Sequence, residues 1–309
     1  MQTPPEITPA NWGMVAALGF VWGATFLFIE LALTGITPFW LAAGRIGFAC
    51  LLTCAVWQWR GGRVFLTDET AWGAMIVSGV LNSAIPFMLL SWGQQTVTSG
   101  FAGVSMASVT LIVLPLSHLF VAGERITLRR LIGLMIGFFG VTVLLGGQAF
   151  ESSGDPLEPL GRLACVGAAA CYASSSVLVR RLPPIDPFGL GALALVFGSM
   201  LVLPMALIVE GPPPMPETDI LLLVAALGLI PTAGANILRI LVIRSAGPVF
   251  MSLVNYQVPM WSVILGIVML GEPFKPILLL AMGLILSGMF VSQWGALMRL
   301  FGRKPTPSN

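Results

Sequence analysis

The chain has 309 residues, of which 57% are hydrophobic and only 9% charged. A water-soluble domain carries roughly 25% charged residues, so this chain cannot cover itself with a hydrated surface, and most of its exterior must face lipid. The net charge of +2 comes from scattered basic residues, which argues against a nucleic-acid-binding face.

Crossing a bilayer as a helix takes about 20 apolar residues. Runs of that kind are predicted at 12–33, 38–58, 71–92, 101–121, 128–146, 161–181, 187–209, 219–242, 247–270 and 276–297. The first has no basic stretch before it and is too long for a signal-peptide core, so it reads as a retained span. It carries Trp22 at its middle and Glu30 near its far end. The second opens at Pro38 and holds Arg45 about two turns in. Asn82, Ser83 and Pro86 mark the third, and Ser105, Ser108, Pro115 and His118 the fourth. Gly133, Gly137 and Gly140 lie along the fifth. A polar connection with Glu151, Asp155, Glu158, Pro156 and Pro159 then divides the chain almost in half. Tyr172 is central in the sixth run, Pro231 and Gly234 interrupt the eighth, and the ninth contains Asn255, Tyr256, Gln257 and Pro259. Gly283 and Ser287 lie in the tenth.

Lysine and arginine placement sets the orientation. With a cytoplasmic N-terminus, 11 of the 15 basic residues fall in inner loops and tail, Arg162 and Lys275 fall outside, and Arg45 and Arg239 lie within spans. Adding or deleting one span scrambles this split, so it supports ten spans with both termini cytoplasmic. A shift of 148 residues lays Ser99–Glu124 on Gly247–Glu272 without gaps, and Glu69 on Glu217 and Gly140 on Gly288. The expected organisation is a tail at 1–11, a first five-helix repeat at 12–146, an extracytoplasmic linker at 147–160, a second repeat at 161–297 and a tail at 298–309. An odd number of helices per repeat turns the second copy upside down. Inverted repeats place a binding site near the bilayer midplane and support alternating access. The fold class is therefore an all-α integral membrane protein of ten transmembrane helices in two inverted five-helix repeats.

Several stretches carry a family resemblance. They are Trp22-Gly23-Ala24-Thr25, Pro38 with Arg45, and Pro115 followed by Gly123-Glu124-Arg125, Gly133 and Gly140, with an echo in Pro259, Gly271-Glu272 and Gly288. In this order they resemble the EamA branch of the drug/metabolite transporter superfamily over nearly the whole chain. The second half departs from the pattern: Ala194 stands near the equivalent of Arg45, and the strict counterpart of Pro115 is not proline. The resemblance implies a ten-helix carrier of a bacterial inner membrane, with export of amino acids or related metabolites as the first expectation. Uptake of a vitamin or nutrient such as riboflavin is the second. It also implies a central cavity between helices one, three and four and helices six, eight and nine.

Trp22, Asn82, Ser83, Ser108, Tyr172, Asn255 and Tyr256 are the expected cavity residues, because a carrier must replace the water around its cargo with donors and acceptors. The alternative for each Asn and Ser is a bond between neighbouring helices, worth roughly 1 kcal/mol. Pro86, Pro231 and Pro259 can kink their helices and gate the cavity, or serve only the fit between helices. Glu30 and Arg45 are expected to form an ion pair, with snorkelling to the interface as the alternative. The two Gly-Glu pairs read as hairpin clips, and the glycines of spans five and ten as close-contact faces, either within one chain or in a homodimer. The cysteines Cys50, Cys54, Cys165 and Cys171 read as small buried hydrophobes without metal-ligand spacing. An intramembrane enzyme is the competing class. It would need a second histidine, a metal motif or a membrane-depth aspartate, none of which the sequence offers, so no enzyme activity and no cofactor are expected. The partners expected are a small-molecule solute and the lipid bilayer.

Overall fold

The computed structural model describes residues 7–121, 127–146 and 155–301. In chain order the helices are α1 (Pro9–Ala32), α2 (Pro38–Trp59), α3 (Trp72–Asn82), α4 (Ala84–Gly93), α5 (Ser99–Met106), α6 (Ser108–Phe120) and α7 (Leu128–Gly146). The second half adds α8 (Glu158–Val179), α9 (Pro187–Glu210), α10 (Thr218–Leu227), a π-helical segment (Gly228–Gly234), α11 (Ala235–Met251), α12 (Val254–Leu270) and α13 (Pro276–Phe301). Among the described residues eight helices are long and apolar enough to cross a membrane, counting α3–α4, α5–α6 and α10–π–α11 each as one. The other two expected runs correspond to α7 and to α12. The latter is a shorter apolar helix because the chain bends at Gly247 (φ 86°) and turns again at Ser252–Leu253. Large apolar side chains cover the outside, including Leu51, Phe139, Ile208 and Val268, as expected where the solvent is lipid rather than water.

The interrupted helices follow from proline chemistry. Proline lacks an N–H and crowds the carbonyl four residues back. Pro86 accordingly sits in the first turn of α4, and the α3–α4 break falls at Ser83. Pro231 lies in the π segment that starts one residue after Leu227. Pro259 behaves differently: α12 runs through it, and the interruption lies upstream at Ser252–Leu253.

Helix contacts are reciprocal between the halves. α1 packs on α12 as α8 packs on α6, and α3 packs on α9 as α2 packs on the π segment. The pairs α2–α9, α5–α12 and α7–α13 map onto themselves. The α7–α13 contact is backbone against backbone. A methyl at Gly133 would stand 2.5 Å from the Gly288 carbonyl oxygen and 2.6 Å from the Ser292 nitrogen. Only glycine permits that approach. These two glycines therefore serve a contact within one chain.

Acidic side chains close the ends of α2 and α5. Glu210 at the end of α9 accepts from the Thr37 hydroxyl (2.5 Å) and from the Phe39 and Trp40 amides (3.0 and 3.1 Å). Gly271, left-handed at φ 67°, terminates α12. Glu272 then accepts from the Ser99 amide (2.7 Å), the Ser99 hydroxyl (2.5 Å) and the Gly100 amide (3.2 Å). The clip expected at Gly271-Glu272 thus caps α5 rather than opening α13, and its counterpart at 123–124 lies outside the described residues. At the opposite end of the α2–α9 pair the connecting segments meet, with Leu66 N donating to Pro184 O (2.9 Å) and Asp186 N to Val64 O (2.8 Å).

The apolar interior has a main cluster through α1, α5, α6, α8 and α11–α13, including Leu18, Phe101, Leu111, Phe250 and Ile285. A second joins α2, α4, α9 and the π segment through Ile46, Phe87, Val202 and Ala233. Tyr172 packs against both. It stands at the seam.

Candidate functional site

The site is built around the break in the eighth run. Because Pro231 offers no N–H, the Leu227 carbonyl loses its helical donor. The wider i→i+5 pattern of the π turn brings Thr232 to that carbonyl, and its hydroxyl donates to Leu227 O at 2.8 Å. The wide turn leaves other carbonyls to be met from outside the helix. Trp22 Nε1 of α1 donates to Pro231 O at 2.9 Å, and Asn236 Nδ2 donates to Thr232 O at 2.5 Å. Arg45 of α2 approaches the same turn, its Nε donating to Thr232 Oγ1 at 2.8 Å. One threonine hydroxyl therefore accepts from a cation and donates to the carbonyl at the helix break. π-Helical turns of this kind concentrate at functional positions.

The Arg45 guanidinium carbon lies 3.8 Å from the centroid of the Phe87 ring, which follows Pro86 in α4. Arg45 is only 7% exposed, and Tyr172 of α8 packs against the apolar cluster that contains Phe87. Trp22, Arg45 and Phe87 from the first half and Tyr172, Pro231 and Thr232 from the second thus form one centre. The hollow lined by Thr98, Glu272, Lys275 and Leu278 belongs to the Glu272 clasp, and none of those six residues lines it.

The remaining expected residues divide. Ser83 is buried and donates to Gly79 O (2.8 Å) and to Ala194 O (3.0 Å), so its hydroxyl bonds α3 to α9. Its neighbour Asn82 is exposed. Ser108 Oγ and Tyr256 OH are buried without a hydrogen-bond partner, a costly state unless water or a solute completes them. Asn255 is exposed and its Nδ2 lies 3.5 Å from Thr110 Oγ1. Pro86, Pro231 and Pro259 are all buried.

The expected ion pair between Glu30 and Arg45 is not formed. Arg45 turns to Thr232 and Phe87. Glu30 instead lies near Gln94, Ser99 and Glu272, with its Oε2 buried and without a hydrogen-bond partner. A neutral hydroxyl meets Nε and an aromatic ring covers the guanidinium face, without a second buried charge. Sequence reasoning missed Thr232, Phe87 and Asn236. Only the proline beside Thr232 and Phe87 signalled either. Among the described residues no group of three or more His, Cys, Asp or Glu side chains is placed to hold a metal ion, and the Cys50 and Cys54 sulfurs stand 3.7 Å apart as free thiols.

Broken apolar helices from both halves, joined by polar side chains, are an arrangement that membrane transporters use. The chain belongs to the EamA-like transporter family, whose model matches residues 11–146 and again 159–294. It is 26% identical to the uncharacterized inner membrane transporter YedA of Escherichia coli (strain K12) over 296 residues, covering 95% of this chain and 93% of that one. It is 23% identical to an S-adenosylmethionine/S-adenosylhomocysteine transporter of Chlamydia muridarum over 286 residues, 87% of each chain. A protein of known crystal structure shares the fold with a TM-score of 0.66 at 22% identity, over 96% of this chain and 100% of the other.

Proposed function

We propose that this transporter is a secondary carrier that moves small organic metabolites, amino acids or related compounds, outward across a bacterial inner membrane by alternating access. In this reading ten helices cross the membrane as two inverted halves and both termini are cytoplasmic. The observation that carries it is the meeting of Trp22 and Arg45 with the broken helix at Pro231–Thr232. A rocking motion between halves has to remake those contacts, and a solute held there would be exposed to one side at a time. The reciprocal helix contacts support two halves related by a two-fold exchange. Trp22, Tyr172, Tyr256, Ser108, Asn82, Ser83 and Asn255 are the proposed cavity residues, with the orphan hydroxyls of Ser108 and Tyr256 available to cargo. Pro86, Pro231 and Pro259 are the proposed flexing points. The cargo of the Chlamydia relative, an amino-acid derivative and its product, favours the amino-acid class.

Overexpression in a bacterial host tests both cargo class and direction. Resistance to toxic amino-acid analogues, without rescue of a riboflavin auxotroph, is the expected result. Rescue without resistance overturns export in favour of vitamin uptake.

A further inference from the structure

Arg45 carries a positive charge at membrane depth with no carboxylate opposite it. Its Nε is held by Thr232 and its face by Phe87, but neither Nη group hydrogen-bonds to any described residue. Arg45 keeps 7% of its surface exposed, so protein does not seal it completely. Several acids within or at the ends of the described helices are engaged away from Arg45. Glu158 pairs with Arg162, Asp186 caps α9, Glu210 caps α2 and Glu272 caps α5, while Glu30, its Oε2 buried without a hydrogen-bond partner, forms no ion pair with Arg45.

A lone arginine at a helix centre costs roughly 2.5–3.5 kcal/mol to insert. Stacking on an aromatic face returns about 2 kcal/mol when desolvated. A purely structural role leaves part of that cost standing, and an apolar residue would avoid it altogether. The geometry explains what the charge is for. With Nε anchored, the end of the guanidinium that carries Nη1 and Nη2 is left free, and that edge matches the two oxygens of a carboxylate.

We propose that the Nη1–Nη2 edge of Arg45 binds the carboxylate of the transported solute, which makes the cargo a small monocarboxylate seated beside Phe87 and Tyr172. The proposal rests on the carrier reading above and adds the group recognised and the residue that recognises it. One guanidinium balances one negative charge, so a monoanionic carboxylate fits better than a phosphate dianion. Thr232 is a positioning residue, since it fixes the guanidinium through Nε without facing the solute.

The test uses the full chain in proteoliposomes and measures counterflow of the protein amino acids beside their carboxamides and the corresponding decarboxylated amines. One charge-assisted contact of this kind is worth about tenfold or more in binding. Acids should therefore exchange at least about tenfold faster than amides or amines. R45Q should bring acid exchange down to the amide rate, and R45K, a charge without the fork, should fall between. Acids and amides exchanging equally well overturn the Arg45 site and leave the carrier reading intact. Retention of acid preference by R45Q also overturns the site. Absence of exchange for every member fails the carrier reading and this proposal with it. The acid-to-amide comparison runs on the unaltered chain, so it decides the matter even if R45Q does not assemble.

Discussion

Thr232→Val tests the centre of the structure with a change of almost no volume. Thr232 is 3% exposed, and its hydroxyl lies 2.8 Å from both Arg45 Nε and Leu227 O. Its removal leaves a charged donor without its acceptor and takes a donor from the Leu227 carbonyl, worth roughly 1.5–3 and 0.5–1.5 kcal/mol respectively in water-soluble proteins. Polar contacts between membrane helices average nearer 0.6 kcal/mol, because the unfolded chain in the bilayer finds other partners. A combined loss of about 1.5–3 kcal/mol is therefore expected, or about 3–12 °C of apparent melting temperature at the slope seen for chains of 150–250 residues. Heating purified protein in nanodiscs and following the monodisperse fraction by fluorescence-detected size exclusion gives that number. Thr232→Ser keeps the hydroxyl and should melt close to the native chain. If the valine variant melts with the native chain, or the serine variant falls as far as valine, the hydroxyl does not hold Arg45 and the helix break together.

Gly133→Leu should cost about 1–3 kcal/mol or abolish assembly, because its Cβ meets the backbone of Gly288 and Ser292. Gly137→Ala should be milder, since there the nearest atoms belong to the movable Leu111 side chain; membrane yield and melting of the two variants make the comparison. Glu272→Ala removes three hydrogen bonds at the start of α5 and should destabilise by about 1–2 kcal/mol, with Glu272→Gln losing less. Hydrogen exchange at Ser99 and Gly100 should rise in the alanine variant, and unchanged protection there would show that Glu272 is not the cap. Fusion of alkaline phosphatase after Gly211 should be active and fusion after Gly61 inactive; the reverse pattern would invert the topology.

The membrane fold was legible because a chain this apolar has few options, and because proline and glycine punctuate the helices where the backbone breaks or closes. Trp22 and Arg45 also stood out, as an aromatic donor and a charge within apolar runs. Their partners did not. Opposite charges near in sequence suggested Glu30 for Arg45, whereas the acceptor is a neutral hydroxyl 187 residues away. No charge pattern announces such a contact. Ser83 and Asn82 show the same limit: adjacent polar residues at one depth look equivalent in sequence, yet helical rotation buries one against Ala194 and exposes the other. Glu272 was recognisable as part of a clip, but a cap on a helix distant in sequence depends on the fold that brings α5 beside it.

The central claim is that the two halves carry solute by turns rather than leaving a path through the membrane. Trans-stimulation in proteoliposomes tests it most directly. Loading the vesicles with an unlabelled amino acid should drive transient accumulation of the labelled compound above its outside concentration, and Trp22→Ala should weaken that overshoot. Simple equilibration of the label, unaffected by what is loaded opposite, would mean a channel and would contradict alternating access.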